Sequence, residues 1–265
     1  MKPANIQALI LDMDGVLWIE NQPLGDLAEI FTIFKRKKLK VCLATNNSTR
    51  TPGQYNERLC QMGVTNLGLH QIVTSSQTLA HMLSKRFPKR GKVYTIGESG
   101  LRHALEEQGF SNAEESQVQE VVAVAVGMDR NISFSKLRCA TLLIRRGIPF
   151  FATNPDRTFP TPEGMIPGAG SLIAALIAST DVQPLITGKP SPHMIELALE
   201  RLSASPKESM VVGDRLDTDI SAGQAAGCKT ALVLSGVTSR EEGEAWRPSP
   251  DLIVEDLKDL LSKLG

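Results

Sequence analysis

Apolar residues along this chain fall in short runs separated by amphipathic segments, a pattern that predicts strands alternating with helices. Residues 8–11 form an unbroken apolar run bounded by the turn signal of Gly15, as expected for a buried strand of a parallel sheet. Apolar side chains recur at helical spacing in residues 26–38, and residues 40–44 have the pattern of a second strand. This alternation predicts an α/β fold with a doubly wound parallel sheet.

The same alternation continues to the end of the chain. Residues 154–168 are an exception, because this segment is rich in Pro, Gly and Thr and is too long for a plain connection. The strand predicted at 184–188 is expected to return the chain to the first sheet. The remaining predicted helices cover residues 51–62, 75–87, 97–108, 134–146, 169–179, 192–202, 220–226 and 256–264, and the remaining strands cover residues 71–74, 92–96, 121–126, 150–153, 208–212, 229–234 and 251–254.

A polar break at residues 88–91 separates two rounds of alternation. The segment 87–182 has strands and helices of its own, which predicts a smaller α/β domain inserted into the first. Residues 1–86 and 183–265 then form the first domain, and the chain crosses between the two domains twice.

Composition and charge argue against several classes of partner. With 265 residues, 42% of them hydrophobic, and a mean hydropathy of −0.08, the chain is typical of a globular protein with a substantial core. Basic and acidic residues each number 29, so the net charge of +0 argues against nucleic acid or an anionic membrane as a partner. The basic run at residues 35–40 is predicted to end the first helix, where cations suit the helix dipole.

Cysteine usage and hydropathy indicate a reducing compartment. Cys42, Cys60, Cys139 and Cys228 are scattered and form no Cys-x-x-Cys pair, which argues against a zinc knot or a dithiol redox site. The amino terminus has no secretory signal pattern, and no apolar stretch reaches the length of a membrane span. We therefore expect a cytoplasmic location, while the oligomeric state, a homo-oligomer included, stays open.

Two aspartates follow the first predicted strand. Asp12 and Asp14 stand at its carboxyl end, and Gly15 then allows a sharp turn. Open α/β sheets place their ligand sites at the carboxyl ends of strands. Two carboxylates at that position repel each other unless one is protonated or a cation lies between them. The pair therefore suggests chemistry, although a polar turn would have the same local sequence.

Three further polar clusters follow other predicted strands. Because the carboxyl ends of parallel strands meet at one edge of a sheet, we expect all of these clusters to converge. Carboxylates favour a hard divalent cation, and Mg²⁺ fits best because it accepts few protein oxygens and keeps several waters. Hydroxyl, amide and ammonium groups suit the oxygens of a phosphate. The three clusters are Thr45, Asn46 and Asn47; Lys189 with Gly188 and Pro190; and the segment 214–219, which contains Asp214, Asp217 and Asp219.

Each cluster alone also has a purely structural explanation. The segment 45–47 would serve equally as a helix cap, and Lys189 as a loop lysine in solvent. The segment 213–219 would serve as a strand-to-helix turn whose acids suit a helix amino terminus. Their joint occurrence, in this order, makes a shared site the stronger interpretation.

Together these clusters resemble the four motifs of the haloacid dehalogenase (HAD) superfamily of phosphotransferases. The first and second motifs are too close in sequence for a cap domain between them, whereas the second and third are far enough apart. A cap in that second position, of the C2 type, resembles subfamily IIA, which includes NagD and the nitrophenyl, phosphoglycolate and pyridoxal phosphate phosphatases. The four matches, in order, are Asp12-Met13-Asp14-Gly15-Val16-Leu17, Thr45-Asn46, Lys189, and Gly213-Asp214 with Asp219; the strings LATNNS, FFATNPD, IPGAGSL, GKPSP and GDRLDTDI are also similar to that subfamily.

The resemblance implies a Mg²⁺-dependent phosphomonoester hydrolase with a Rossmann-like core and a cap. Its substrate would be a small phosphorylated metabolite, such as a nucleoside monophosphate or a sugar phosphate. Asp12 would be the nucleophile that forms an aspartyl-phosphate, and Asp14 would act first as general acid and then as general base. Asp12, the backbone carbonyl of Asp14, and Asp214 would bind the metal.

The resemblance also implies how the phosphate is held. Hydrogen bonds to the phosphoryl oxygens would come from Thr45, Asn46 and Asn47. Lys189 would neutralise Asp12 in the ground state and the equatorial oxygens in the transition state. Asp219 would orient a metal-bound water or Lys189 without binding the metal itself.

The inserted domain is expected to choose the substrate, because caps of this subfamily close over the site. We predict leaving-group contacts from the loops 127–131 and 154–161, with Asn154, Asp156 and Phe159 as the side chains to test. Surface-loop structure explains the same residues equally well. Elsewhere, Trp18 is predicted to pack beneath the loop that follows the first motif.

Two other functions stay open from the sequence. A phosphate-binding regulatory protein on the same fold would keep the site without turnover, since fold alone does not define function. The presence of both Asp12 and Asp14 argues against it, because a binding module needs no acid–base group. A phosphotransferase such as a phosphomutase would differ only in the acceptor of the phosphoryl group.

Overall fold

The computed structural model describes residues 6–114, 119–161 and 163–264, which divide into two compact units. Unit 1 contains the described residues of Met1–Thr45, Pro52–Val73 and Lys189–Gly265. Unit 2 contains the described residues of Asn46–Thr51 and Thr74–Gly188. The inserted domain at 87–182 stays a prediction, since these units also assign 46–51 and 74–86 to unit 2.

Unit 1 is built on a six-stranded sheet with the order β15-β14-β13-β1-β4-β5. Strand β1 lies inside this sheet and pairs in parallel with β13 on one side and β4 on the other, with Ala8 opposite Ser209 and Lys40. The strands are β1 (Ala8–Leu11), β4 (Lys40–Thr45), β5 (Ile72–Thr74), β13 (Ser209–Gly213), β14 (Lys229–Val233) and β15 (Leu252–Val254).

Helices cover both faces of this sheet. Leu9 and Leu11 belong to an apolar cluster that includes Phe34, whereas Ile10 belongs to a second cluster with Met194. Successive strand residues point to opposite faces, so an interior strand covered on both faces reads as a continuous apolar run. The helices of unit 1 are α1 (Leu27–Arg36), α2 (Pro52–Gln61), α7 (His193–Leu202), α8 (Ser221–Ala225), α9 (Arg240–Ala245) and α10 (Leu257–Lys263).

Unit 2 has a sheet of its own, with five parallel strands in the order β12-β9-β8-β6-β7. Val124 of this sheet faces a cluster that contains Leu143 and Leu176, and Ala123 faces another that contains Leu83 and Leu105. The elements are α3 (Ser75–Arg86), β6 (Lys92–Ile96), α4 (Ser99–Glu107), β7 (Ser111–Asn112), β8 (Val121–Val126), α5 (Phe134–Arg145), β9 (Phe150–Ala152), α6 (Ala169–Thr180) and β12 (Leu185–Ile186). The predicted fold class, α/β with parallel sheets, is confirmed.

Two antiparallel hairpins complete the fold. The first, β2 (Trp18–Ile19) with β3 (Gln22–Pro23), follows the turn at Gly15 in unit 1. The second, β10 (Thr158–Thr161) with β11 (Gly164–Pro167), occupies the segment 154–168 of unit 2. Among the described residues, no helix has the length and apolar character needed to cross a lipid bilayer.

One strand lies in a different sheet from the one expected. The prediction that residues 184–188 return to the first sheet was wrong, because Leu185 pairs with Phe151 and Ile186 with Ala152 in unit 2. A strand of two residues has little periodicity of its own, so its partner is chosen by the tertiary fold.

Candidate active site

Asp12 lies at the carboxyl end of β1. Its backbone N–H donates to the Val212 carbonyl at 2.8 Å, which continues the ladder with β13 for one more residue. The neighbouring strands therefore fix the backbone of Asp12. Its carboxylate, 13% exposed, meets the ammonium of Lys189.

Lys189 joins three segments of unit 1. Its Nζ donates to Asp12 Oδ1 at 2.5 Å, to Asp219 Oδ1 at 2.6 Å and to the Ala44 carbonyl at 3.0 Å. An ammonium has three N–H donors, and here each has an acceptor of its own. The Lys189 side chain is 3% exposed, so the prediction of a converging lysine is confirmed and that of a lysine in solvent is wrong.

Asp214 and Asp219 complete a cluster of three carboxylates. One oxygen each from Asp12, Asp214 and Asp219 lies within 4.8 Å of the others. A π-helical turn at Leu216–Ile220, before α8, brings Asp219 back to the strand end, where its Oδ2 accepts from the Arg215 N–H at 3.1 Å. Asp12, Lys189, Asp214 and Asp219 therefore meet in one site, as predicted, and β4 contributes to it through the Ala44 carbonyl.

Negative charge exceeds positive charge in this cluster. Burial raises the pKa of the Asp12 carboxyl well above its usual range; the Lys189 charge opposes this shift, and those of Asp219 and Asp214 add to it. Burial, with the neighbouring Asp219 charge, also raises the pKa of Asp214 to about 6. Burial alone would lower the pKa of Lys189, but Asp12 and Asp219 outweigh burial and raise it.

The donor set suits a hard divalent cation. Three carboxylates share one ammonium, and Mg²⁺ prefers such oxygen ligands while keeping several of its waters. Both oxygens of Asp219 already accept hydrogen bonds, from Lys189 and from the Arg215 N–H. Asp12 and Asp214 are therefore better placed to bind a metal, and Asp219 is better placed to hold Lys189.

A loop that the sequence did not single out also shapes this site. The Val237 N–H donates to Asp214 Oδ2 at 3.0 Å, and Ser235 Oγ donates to the Gly15 carbonyl at 2.7 Å. A Cβ on either Gly15 or Gly236 would collide with the Asp214 carboxylate. Segment 235–237 follows the end of β14, a strand of the same sheet. Its position after that strand could have predicted that it lies near the site.

Asp14 is held differently from Asp12. Its side chain is exposed, and its Oδ1 accepts a hydrogen bond from the indole Nε1 of Trp18 at 2.9 Å. Trp18 itself is fully buried at the start of β2, as predicted for a residue beneath the first loop. The sequence did not indicate this contact.

The predicted phosphate donors lie at the end of β4 and just beyond it. Thr45, the last residue of β4, is buried and follows Ala44, whose carbonyl accepts from Lys189. Asn46 belongs to unit 2, where its carbonyl accepts from Asn154 Nδ2 at 2.7 Å.

The other side chains in this part of unit 2 also contact one another. Asn46 Nδ2 donates to Asp156 Oδ2 at 3.3 Å. Asn47 Oδ1 accepts from both the backbone N–H and the hydroxyl of Thr49, at 2.9 and 2.8 Å. Phe159 lies on β10, partly buried against an apolar cluster of unit 2. The roles assigned to these residues stay predictions.

Comparisons with known proteins agree with this geometry. A profile described as haloacid dehalogenase-like hydrolase matches residues 9–111, and one described as HAD-hydrolase-like matches residues 186–260. Phosphoglycolate phosphatase 2 of Arabidopsis thaliana is 35% identical over 279 residues, which cover 97% of this chain and 93% of the relative. The 5'-nucleotidase YutF of Bacillus subtilis is 37% identical over 250 residues, which cover 94% of this chain and 95% of the relative.

A solved structure extends the likeness to the fold. NagD from E. coli K-12 superposes with a TM-score of 0.87 at 32% identity, covering 96% of this chain and 97% of that one. The chain therefore belongs to the haloacid dehalogenase-like hydrolases. Within them it is a NagD-like phosphatase that acts on small phosphorylated substrates.

Proposed function

We propose that this phosphatase hydrolyses small phosphomonoesters with Mg²⁺ and through an aspartyl-phosphate on Asp12. The observation that carries the proposal is the Lys189 ammonium held between Asp12 and Asp219, with Asp214 in the same carboxylate cluster. A structural ion pair needs one acid for one base. Here the surplus carboxylates are suited to hold a cation near the nucleophile.

The reaction has two displacements at phosphorus. In the first, an Asp12 oxygen forms a bond to phosphorus while the ester P–O bond breaks, and Asp14 donates a proton to the departing oxygen. In the second, a water attacks phosphorus, Asp14 accepts a proton from it, and the Asp12–phosphorus bond breaks. A carboxylate is a weak nucleophile, so positioning and charge neutralisation must supply most of the acceleration.

Lys189 contributes to both displacements. Its Nζ fixes one oxygen of Asp12, which restricts rotation of the carboxylate and leaves the other oxygen for attack. Its positive charge also opposes the negative charge that builds up on the phosphoryl oxygens. Asp219 keeps the ammonium in place through its 2.6 Å hydrogen bond.

The metal would be held by Asp12, the backbone carbonyl of Asp14, and Asp214. When bound, Mg²⁺ neutralises charge between the nucleophile and the phosphate. Thr45 is the proposed phosphate donor at the end of β4, and Asn46 and Asn47, which follow it in the chain, are two more.

The substrate we propose is a small metabolite such as a nucleoside monophosphate or a sugar phosphate. The relatives named a 5'-nucleotidase and a phosphoglycolate phosphatase support this class and also show how widely substrates vary. In unit 2, Asn154, Asp156 and Phe159 are the proposed specificity residues. Phe159 offers an apolar ring and no charge, which favours a ring-bearing or small neutral leaving group.

Phosphate release from a panel of phosphomonoesters, including p-nitrophenyl phosphate, tests this function. We expect turnover with Mg²⁺, loss of turnover in excess chelator, and loss in Asp12→Asn. Asp217→Asn is the matched control, because Asp217 lies in the same π-helical turn as Asp219 but is exposed and paired with Arg215. Unchanged turnover in Asp12→Asn would refute the proposal.

Two results of the same panel would support the rival functions instead. A phosphate moved to an acceptor, with no free phosphate released, would identify a phosphotransferase or phosphomutase. Ligand-induced thermal stabilisation without turnover of any phosphomonoester would identify a phosphate-binding protein. Release of free phosphate would exclude the phosphate-binding protein, and comparing it with the amount of phosphorylated acceptor separates hydrolysis from phosphoryl transfer.

A further inference from the structure

We propose that Trp18 is a positioning residue for Asp14 and decides which of its two carboxyl oxygens exchanges protons with the substrate. This inference rests on the role proposed above for Asp14. It starts from the 2.9 Å hydrogen bond between Trp18 Nε1 and Asp14 Oδ1. Asp14 is otherwise an exposed side chain.

The chemistry of the indole fixes the direction of this hydrogen bond. An indole N–H is a donor only, so Asp14 Oδ1 must act as the acceptor. When Asp14 is protonated, this bond favours the proton on Oδ2, because a carbonyl oxygen accepts a hydrogen bond more strongly than a carboxyl hydroxyl does. The same oxygen later accepts the proton of the attacking water, so one oxygen serves both displacements.

Backbone hydrogen bonds close to Asp14 help to place the indole. The Gly15 N–H donates to the Trp18 carbonyl at 2.7 Å, and the Trp18 N–H donates to the Met13 carbonyl at 3.3 Å. These bonds close the turn between Asp14 and β2. Trp18 is fully buried, so its ring cannot move away without opening the apolar core.

Arg58 of α2 lies over the Trp18 ring. Its guanidinium carbon lies 4.1 Å from the centre of the Trp18 ring. The same guanidinium donates to the carbonyl of Glu20, in the turn of the β2–β3 hairpin. The ring is therefore restrained by its own backbone, by the core and by the Arg58 cation.

Trp18→Phe tests this role because it keeps an aromatic ring and removes the N–H. Trp246→Phe is the matched control, since Trp246 Nε1 is a buried N–H without a hydrogen-bond partner in the part of the chain that the structure describes. The assay is kcat/KM for p-nitrophenyl phosphate and for the alkyl phosphomonoester that the wild type hydrolyses best. An alkoxide is a poor leaving group and needs the proton of Asp14, whereas p-nitrophenolate leaves readily without it.

We expect kcat/KM of Trp18→Phe to fall about 10- to 100-fold for the alkyl ester, a part of what general acid catalysis supplies. The value for p-nitrophenyl phosphate should stay close to wild type, as should both values for Trp246→Phe. In an Asp14→Asn background, Trp18→Phe should cause no further loss, because two residues that act through one group are not additive.

Three outcomes would overturn the inference: equal losses on both esters, full additivity with Asp14→Asn, or wild-type rates in Trp18→Phe. If Trp18→Phe does not fold, β-(3-benzothienyl)alanine at position 18 keeps the shape of the indole without its N–H and decides the same question. A rate of Asp14→Asn on the alkyl ester equal to that of the wild type would instead refute the acid–base role proposed for Asp14. If Asp14→Asn lowers kcat/KM for the alkyl ester and Trp18→Phe does not, only the role of Trp18 is refuted.

Discussion

Replacing Lys189 by methionine should destabilise the protein in a way that depends strongly on pH. The substitution keeps an unbranched side chain, one atom shorter, and removes an ammonium that donates to three acceptors. Lys189 and Asp219 are 3% and 2% exposed, so the remaining carboxylates would be buried without a counterion. Breaking a buried pair on one side costs about 3–5 kcal/mol, and we expect that loss in the free energy of unfolding near neutral pH in metal-free buffer.

The pH dependence follows from the direction of the pKa shifts. The pKa of Asp214 is already raised to about 6 by burial and by Asp219, and removing the Lys189 charge raises it further. When the pKa of a carboxyl is higher in the folded state than in the unfolded state, the free energy of unfolding falls as the pH rises from the unfolded pKa to the folded pKa. Lys189, whose own pKa is raised, stays charged throughout this range. The loss in the free energy of unfolding caused by Lys189→Met should therefore be small at about pH 4 and largest at about pH 7.

Urea unfolding at these two pH values, with chelator present, measures the difference. Lys229→Met is the matched control, because Lys229 pairs with Asp251 at 2.8 Å but is 51% exposed. An exposed pair contributes at most about 1 kcal/mol, with little change between the two pH values. An equal loss for Lys189→Met at both pH values, or a loss of less than about 1 kcal/mol at neutral pH, would refute the buried-charge argument.

Two further predictions concern packing at and away from the site. Cys60 is exposed, whereas burial raises the pKa of the Cys42 thiol to about 12; a maleimide should label Cys60 in the folded protein and Cys42 only after unfolding, as peptide mapping would show. Gly236→Ala should reduce phosphatase activity about 100-fold, because its Cβ displaces the Asp214 carboxylate. Val237→Ala should leave activity unchanged, since it keeps the N–H that donates to Asp214 and shortens a residue that is 72% exposed; similar activities in the two variants would contradict this reasoning.

The sequence predicts most of the fold because local and global signals agree. The apolar run at β1 is continuous because both faces of its sheet are covered, and the observed strand has the predicted bounds. Helix α1 begins after Asp26, whose side chain caps it, and ends with Lys35 and Arg36 of the basic run. In both cases short-range chemistry and burial lead to the same structure.

Features that depend on distant partners were harder to predict. The β10–β11 hairpin lies in a segment rich in Pro and Gly, where alternation is weak. Helix α9 has a Ser239–Glu242 capping box but few buried residues, so it has no clear amphipathic pattern. Neither element shows its tertiary partner in its own sequence.

The candidate site also has features that the sequence predicts and features that it does not. Asp12 and Asp214 could be found, because they follow the neighbouring strands β1 and β13 and therefore lie at one edge of the sheet. Lys189 follows β12 of the other sheet, so strand order alone does not bring it to this edge. The contacts that orient them could not, because the indole of Trp18 and the backbone of Val237 are ordinary residues until their positions are known. Residue type therefore predicted the chemistry, and only the fold supplied the geometry.

The position of Lys189 also explains why folding and activity should change together in this protein. Its three acceptors follow or end three different strands: Asp12 after β1, the Ala44 carbonyl in β4, and Asp219 beyond β13. Only the assembled sheet brings these atoms within reach of one ammonium, so the site cannot form before the sheet does. Conversely, the carboxylates are tolerable in a buried position only while that ammonium or a metal balances them. Substitutions at this edge should therefore separate into two groups: those that remove a charge and cost stability, and those such as Trp18→Phe that redirect a proton and leave the charge balance intact.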